Sequence, residues 1–192
     1  MSDLRAFLDT NVLFSALIRD LALTMARRVG APVYWSESVL GELRKNLVSY
    51  IERNGSPNGA RRVENLIHEM NRAFPRALTT VDSTLDIGPA WPDPDDEHVV
   101  RGVLSAGATH IVTDNLGDFP TRRLAPLGLT AVSADRHLLL LLVTHRDEVL
   151  LSLEGWLWAR SRPAYTRDSL IERLRAVGIN SFAEALELVW VG

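Results

Sequence analysis

The sequence contains no cysteine. Disulfides, thiolate zinc sites and a cysteine nucleophile are therefore excluded, and any bound metal would be held by oxygen or imidazole. Lysine is almost as scarce: Lys45 is the only one, and the rest of the 21 basic residues are arginine. Long apolar runs are missing too. The longest, LLLLLV at 138–143, is far shorter than the roughly 20 residues of a membrane span. MSDLRAF at the start has no basic stretch followed by an apolar one, so neither a secretory leader nor a membrane anchor is expected, and the expected location is cytoplasmic. No internal repeat or low-complexity tract stands out. A net charge of −3 does not advertise a nucleic-acid binder. Even so, Arg27-Arg28, Arg61-Arg62 and Arg122-Arg123 come in pairs, with Arg44-Lys45 beside them; the planar guanidinium fork suits phosphate, so a basic rim around an acidic centre stands open beside the plainer reading of solvated helix faces.

With 192 residues, 46% hydrophobic and 23% charged, the chain can bury one full core and carry a small appendage. Strand-like and helix-like segments alternate through the first two thirds. Leu4–Leu8 reads as a buried strand, followed by helical spacing to about Val29 with a break near Asp20. A second strand at 32–35 leads to Ser36, an N-cap for a helix carrying Val39, Leu43, Leu47 and Ile51. Ser56-Pro57 suits the start of another helix to about Phe74. TTVDS suggests a short strand, and the Pro-rich stretch 88–96 leads into a helix closed by Gly107. Strands at 109–114 and 129–133 follow. This alternation predicts crossover connections and a mostly parallel sheet with helices on both faces. From Ala134 the pattern is helical: 135–160, 167–177 and 182–190, the last opened by Ser181 and Glu184 as a capping box. The expected division is a domain at 1–133 and a helical extension at 134–192.

In parallel sheets ligands bind beyond the carboxyl ends of the strands, and the acids gather there. Asp9 ends the first strand. Asp114 ends the fourth, and Asp118 lies in the loop after it. Asp93 and Pro94 fit an N-cap and first helical position, which puts Asp95 and Asp96 in the first turn, where the helix dipole favours a carboxylate. Glu42 sits inside a helix at the margin of its apolar face. Taken singly, these acids read as helix caps, a partly exposed helix residue and an Asx-type turn. Together they would repel one another unless a cation neutralised them, and an all-oxygen set favours Mg²⁺ or Mn²⁺. Such a centre can activate water for phosphodiester hydrolysis.

FLDTNVLFSAL, SESVLGELRKNL and DPDDEHVVRGVLSAGATHIVTDNLGDFP resemble the successive motifs of PIN-domain ribonucleases, in particular the VapC-type toxins of bacterial toxin–antitoxin pairs. The resemblance spans roughly residues 5–133, and the helical tail is similar to the extension of a longer subgroup. It implies a three-layer α/β/α sandwich, a Mg²⁺-dependent endoribonuclease acting on RNA, a cognate antitoxin as protein partner, and room for a homodimer. By position it implies Asp9, Glu42 and Asp96 as the first three acids. Asp9 and Asp96 would ligate the metal directly, and Glu42 would act through water. Many members carry T-x-D at the fourth position, whereas Asn115 stands there in this chain. Asp118 is the preferred substitute, with Asn115 assisting and Asp114 next in line, to complete the shell or a second site. Thr10 and Asn11 would orient Asp9, and Thr113 would support the fourth position.

His98 stands two residues after Asp96, and residues so spaced on a helix face apart, which favours a surface or packing role. Among the tryptophans, Trp91 is the candidate RNA contact. Trp35 is expected to be packed, and Trp156, Trp158 and Trp190 to be core or partner-facing. Three rivals stay open. A haloacid-dehalogenase-type phosphatase would need an acid at Asn11. A catalytically weak RNA-binding or regulatory module would lack metal affinity dependent on Asp9. A DNA-directed flap nuclease would be separated by substrate competition.

Overall fold

The computed structural model describes residues 4–89, 91, 93–160 and 165–190. In chain order it contains β1 (Ala6–Leu8), α1 (Thr10–Phe14), α2 (Ala16–Val29), β2 (Val33–Ser36), α3 (Glu37–Arg53), α4 (Gly59–Ala73) and β3 (Leu78–Thr79). Then come a 3-10 turn (Pro94–Asp96), α5 (Glu97–Ala106), β4 (His110–Val112), a second 3-10 turn (Leu116–Asp118), α6 (Thr121–Leu124), a third 3-10 turn (Ala125–Leu127) and β5 (Thr130–Val132). The chain ends in α7 (Ala134–Thr144), α8 (Arg146–Trp158), α9 (Arg167–Ala176) and α10 (Asn180–Val189). Among the described residues no helix is long and apolar enough to cross a membrane.

Two compact units are present. Among the described residues, those up to 15 together with 32–132 form the first, and 16–31 together with those from 133 onward form the second. The first is an α/β unit whose five strands are all parallel, in the order β3-β2-β1-β4-β5, with helices flanking the sheet. The chain winds outward from β1 on one side to β2 and β3, then returns to place β4 on the other side of β1. That reversal opens a crevice beyond the carboxyl ends of β1 and β4, where parallel sheets bind ligands. Phe7, Leu8, Trp35 and Ile111 are fully buried in this core. α5 lies close against β1: a Cβ on Gly102 would come within 2.6 Å of the Phe7 ring. Gly107 closes α5 in the left-handed region at φ 62°, as its position in the sequence predicts.

Several boundaries differ from the sequence expectation. The first helical stretch breaks at Ser15, not near Asp20. α4 begins at Gly59 behind Asn58, whose φ is 63°, so Ser56 and Pro57 stay in the preceding turn. β3 is Leu78–Thr79, because Asp82 folds into a local turn that accepts the Thr84 N–H and hydroxyl. Pro94–Asp96 form a 3-10 turn before α5 instead of its first α-helical turn.

In the second unit α2 packs with α7 and α8. The expected single helix 135–160 is two, joined at His145. The expected Ser181–Glu184 capping box is absent. Instead the Asp135 carboxylate accepts the Ser181 and Phe182 N–H groups at 3.0 and 2.8 Å, capping α10 from α7. A capping box does form at Thr166 and Ser169, where α9 starts. Trp156 and Trp190 are buried, whereas Trp158 is 84% exposed.

Candidate active site

The crevice is organised around Asp9, which ends β1 and caps α1. Its carboxylate is buried and accepts three hydrogen bonds: from the Thr10 N–H at 2.6 Å on Oδ1, and from Asn11 Nδ2 at 2.8 Å and Thr113 Oγ1 at 2.7 Å on Oδ2. Thr113, just past β4, also accepts from Asn11 Nδ2 at 2.8 Å and from the Asn115 N–H at 3.1 Å. Asn11 Oδ1 in turn accepts the Asp114 N–H at 3.1 Å. The two strand ends are therefore joined through the side chains of one Asp-Thr-Asn run. Burial still raises the Asp9 pKa; the Thr113 and Thr10 donors lower it and the Glu42 charge adds to the rise.

Glu42 arrives from α3 and is held on both oxygens. Thr10 Oγ1 donates to Oε2 at 2.7 Å, and His98 Nε2 lies 2.9 Å from Oε1. Thr10 thus touches two acids at once, Asp9 through its N–H and Glu42 through its hydroxyl. His98 corrects the sequence expectation, since it belongs to the acid cluster. The spacing rule for residues two apart holds within an α-helix. Asp96 lies in the 3-10 turn and His98 in α5, so the rule does not govern the pair.

Asp96 is the acid whose charge is least tolerated. Burial, then the carboxylates of Asp118, Asp93 and Asp9, raise its pKa to about 6. Its Oδ2 is buried and has no hydrogen-bond partner among the described residues. Asp118 sits beside it electrostatically and accepts a hydrogen bond from Asn115 Nδ2. Asp114 is exposed. The side chain of Asp95 lies outside the described residues.

Asp9, Glu42, Asp96 and Asn115 line one cleft of about 550 Å³; Asp114 and Asp118 are not part of its lining. Three acids from separate stretches of sequence are therefore brought together. Among the described residues, no group of three or more His, Asp or Glu side chains closes tightly enough to be a metal site as it stands. The donor set nevertheless fits a hard cation. A carboxylate offers about four lone-pair sites; Asp9 uses three and Glu42 two, and Asp96 keeps one buried oxygen unpartnered. A cation would also relieve the repulsion that raises Asp96.

Trp91, expected as an RNA contact, is only 3% exposed. Its ring is covered by Arg123, 4.9 Å from the centroid, and by Phe119 at 6.2 Å, so its faces are spent on packing. Trp35 is fully buried and donates through Nε1 to Asn71 at 2.9 Å.

No curated protein and no solved structure matches the chain. A family model described as PIN domain matches residues 5–117, more than half the chain, including Asp9, Glu42 and Asp96. PIN domains are typically metal-dependent nucleases acting on nucleic acids, which makes this a nuclease-type fold and supports a hydrolase. By this match and by its all-parallel α/β sheet, the chain belongs to the PIN-domain family.

Proposed function

We propose that this chain is a cytoplasmic Mg²⁺- or Mn²⁺-dependent endoribonuclease that hydrolyses RNA phosphodiester bonds, and the toxin of a toxin–antitoxin pair. The observation that carries the hydrolase reading is the meeting of Asp9, Glu42 and Asp96 in one cleft, with a buried Asp96 oxygen left unpartnered. The toxin role, the antitoxin partner and a homodimer rest on the resemblance of the three motifs to VapC-type proteins.

In this reading Asp9 and Asp96 hold the ion, Glu42 acts through water, and Asp118 with Asn115 serves the fourth position. A bound divalent ion supplies Lewis acidity, lowering the pKa of water and taking up charge on phosphate oxygens. The chain's own residues do the positioning. The Thr10, Asn11 and Thr113 donors keep the Asp9 carboxylate in one orientation, so little reorganisation is needed when charge builds up. Glu42, held between Thr10 and His98, keeps an oriented carboxylate at the cleft wall that can accept a proton from water.

Asp9→Asn and Asp96→Asn are expected each to lower Mg²⁺-dependent cleavage of RNA by about 100-fold or more and to abolish growth inhibition, with circular dichroism unchanged. Cleavage at the wild-type rate by folded Asp96→Asn protein would overturn the assignment. Mapping new 5′ ends of cellular RNA after induction, with Asp96→Asn as control, would identify the target, and co-purification of a short neighbouring product would identify the antitoxin.

A further inference from the structure

The cleft that holds the acids continues along α3. Glu42, Lys45, Asn46, Ser49 and Arg53 all line it, and at about 100° per residue they fall within one stripe roughly 100° wide. The stripe has a polarity, with the carboxylate at one end and the cations beyond it. From Glu42 to Arg53 it runs about 16 Å, the axial length of about five phosphates in a stacked strand.

The cations are not tied off as their neighbour is. Arg44, on the adjoining side of α3, is engaged by Glu64 at 2.5 Å and Glu37 at 3.7 Å. Lys45 and Asn46 are exposed and make no side-chain hydrogen bond or ion pair among the described residues. Arg53 is exposed and bonds only the Ser49 carbonyl of its own helix, at 3.1 Å, which leaves its charge unneutralised. At the edge of the same cleft Phe14 meets Tyr50 edge to face, with centroids 5.7 Å apart and Tyr50 52% exposed. An acidic protein has thus placed free cations, neutral donors and an exposed aromatic ring next to its acid cluster.

We propose that this face of α3 is the track for single-stranded RNA. Lys45 and Arg53 contact backbone phosphates, Asn46 and Ser49 hydrogen-bond the strand between them, and Tyr50, backed by Phe14, stacks on a base. The track rests on the nuclease reading above and delivers the scissile phosphate to Asp9, Glu42 and Asp96. Stacking tolerates any base, so the track sets affinity, not sequence.

The test uses the full chain carrying Asp96→Asn, which leaves RNA uncut, with a fluorescein-labelled oligouridylate of about a dozen nucleotides, followed by anisotropy across a salt series. Lys45→Ala and Arg53→Ala should each weaken binding about 5- to 10-fold at low salt and reduce the slope of log affinity against log salt by about 0.7, one phosphate's share in a single strand. Tyr50→Ala should weaken binding about 5-fold or more with the slope unchanged, because stacking releases no counterion. All three side chains are exposed, and melting curves check that each variant folds. In the otherwise wild-type chain, Lys45→Ala/Arg53→Ala should raise KM with kcat kept. If wild-type protein cleaves the oligomer but the double variant keeps its affinity and slope, the track is overturned while the nuclease stands. Slope loss with no cleavage by the wild type of either the oligomer or total cellular RNA would overturn the nuclease and keep the RNA surface. Unchanged RNA binding with lost binding of a protein partner would assign this face to that partner and overturn the track.

Discussion

Thr113 carries more of the site than its size suggests. It is fully buried, and its hydroxyl donates to Asp9 while accepting from Asn11 and from the Asn115 N–H. Thr113→Val keeps the shape and removes the hydroxyl. The Asn115 N–H loses its acceptor, and Asp9 loses one of the hydrogen bonds that lower its pKa. The expected result is a loss of about 1–3 kcal/mol in urea unfolding and about 10- to 100-fold in metal-dependent cleavage. A variant as stable and as active as wild type would show that the strand ends are held together by other contacts. That Asp9, Glu42 and Asp96 line one cleft was expected from a strand end, a helix margin and a Pro-led turn taken together with the resemblance of the three motifs. His98 was not, because its contact with Glu42 crosses 56 positions, and Pro94–Asp96 reads equally well as the first turn of α5, where residues two apart face away from each other.

At the scale of the element, Gly102 decides how closely α5 approaches the sheet. Glycine in mid-helix is unfavourable by up to about 1 kcal/mol relative to alanine, so on propensity alone Gly102→Ala should stabilise. The Phe7 ring opposes it, since an added Cβ would fall 2.6 Å from a fully buried side chain. Overpacking of this kind costs about 1–3 kcal/mol. The net expectation is a destabilisation of up to about 2 kcal/mol, read as a lower denaturation midpoint with an unchanged m-value. Elements were legible wherever a period and a cap agreed, as for α3 behind Ser36 or α5 ahead of Gly107. The last helix was legible too, expected at 182–190 and found as α10, but its cap was not, because the distant Asp135 supplies it. The grouping of α2 with the C-terminal helices was equally invisible, because alternation along a chain says nothing about which apolar faces meet.

For the whole molecule, two ionisable groups, one buried and one partly exposed, pull stability in opposite directions as pH falls. His110, on β4, is held neutral by burial with its pKa lowered to about 4. The unfolded chain takes up that proton from about pH 6.5 downward, so this contribution is present above pH 6.5 and lost progressively toward pH 4, up to about 3 kcal/mol in all. Asp96 has the reverse sign. Its folded pKa of about 6 lies above the ordinary aspartate range, so the folded state takes up the proton first and stability rises as pH falls through 6; its partial exposure makes this the smaller effect. In chelator, the wild-type chain should therefore lose stability on acidification from pH 7 to 5 less steeply than His110 alone dictates. Asp96→Asn should make that loss steeper while raising stability at pH 7, and His110→Gln should reverse its sign. Urea titrations of the three proteins at pH 7 and pH 5 decide the matter. An unchanged pH dependence in Asp96→Asn would mean that its carboxyl is not crowded by the neighbouring acids, and the electrostatic case for a cation in this cleft would go with it.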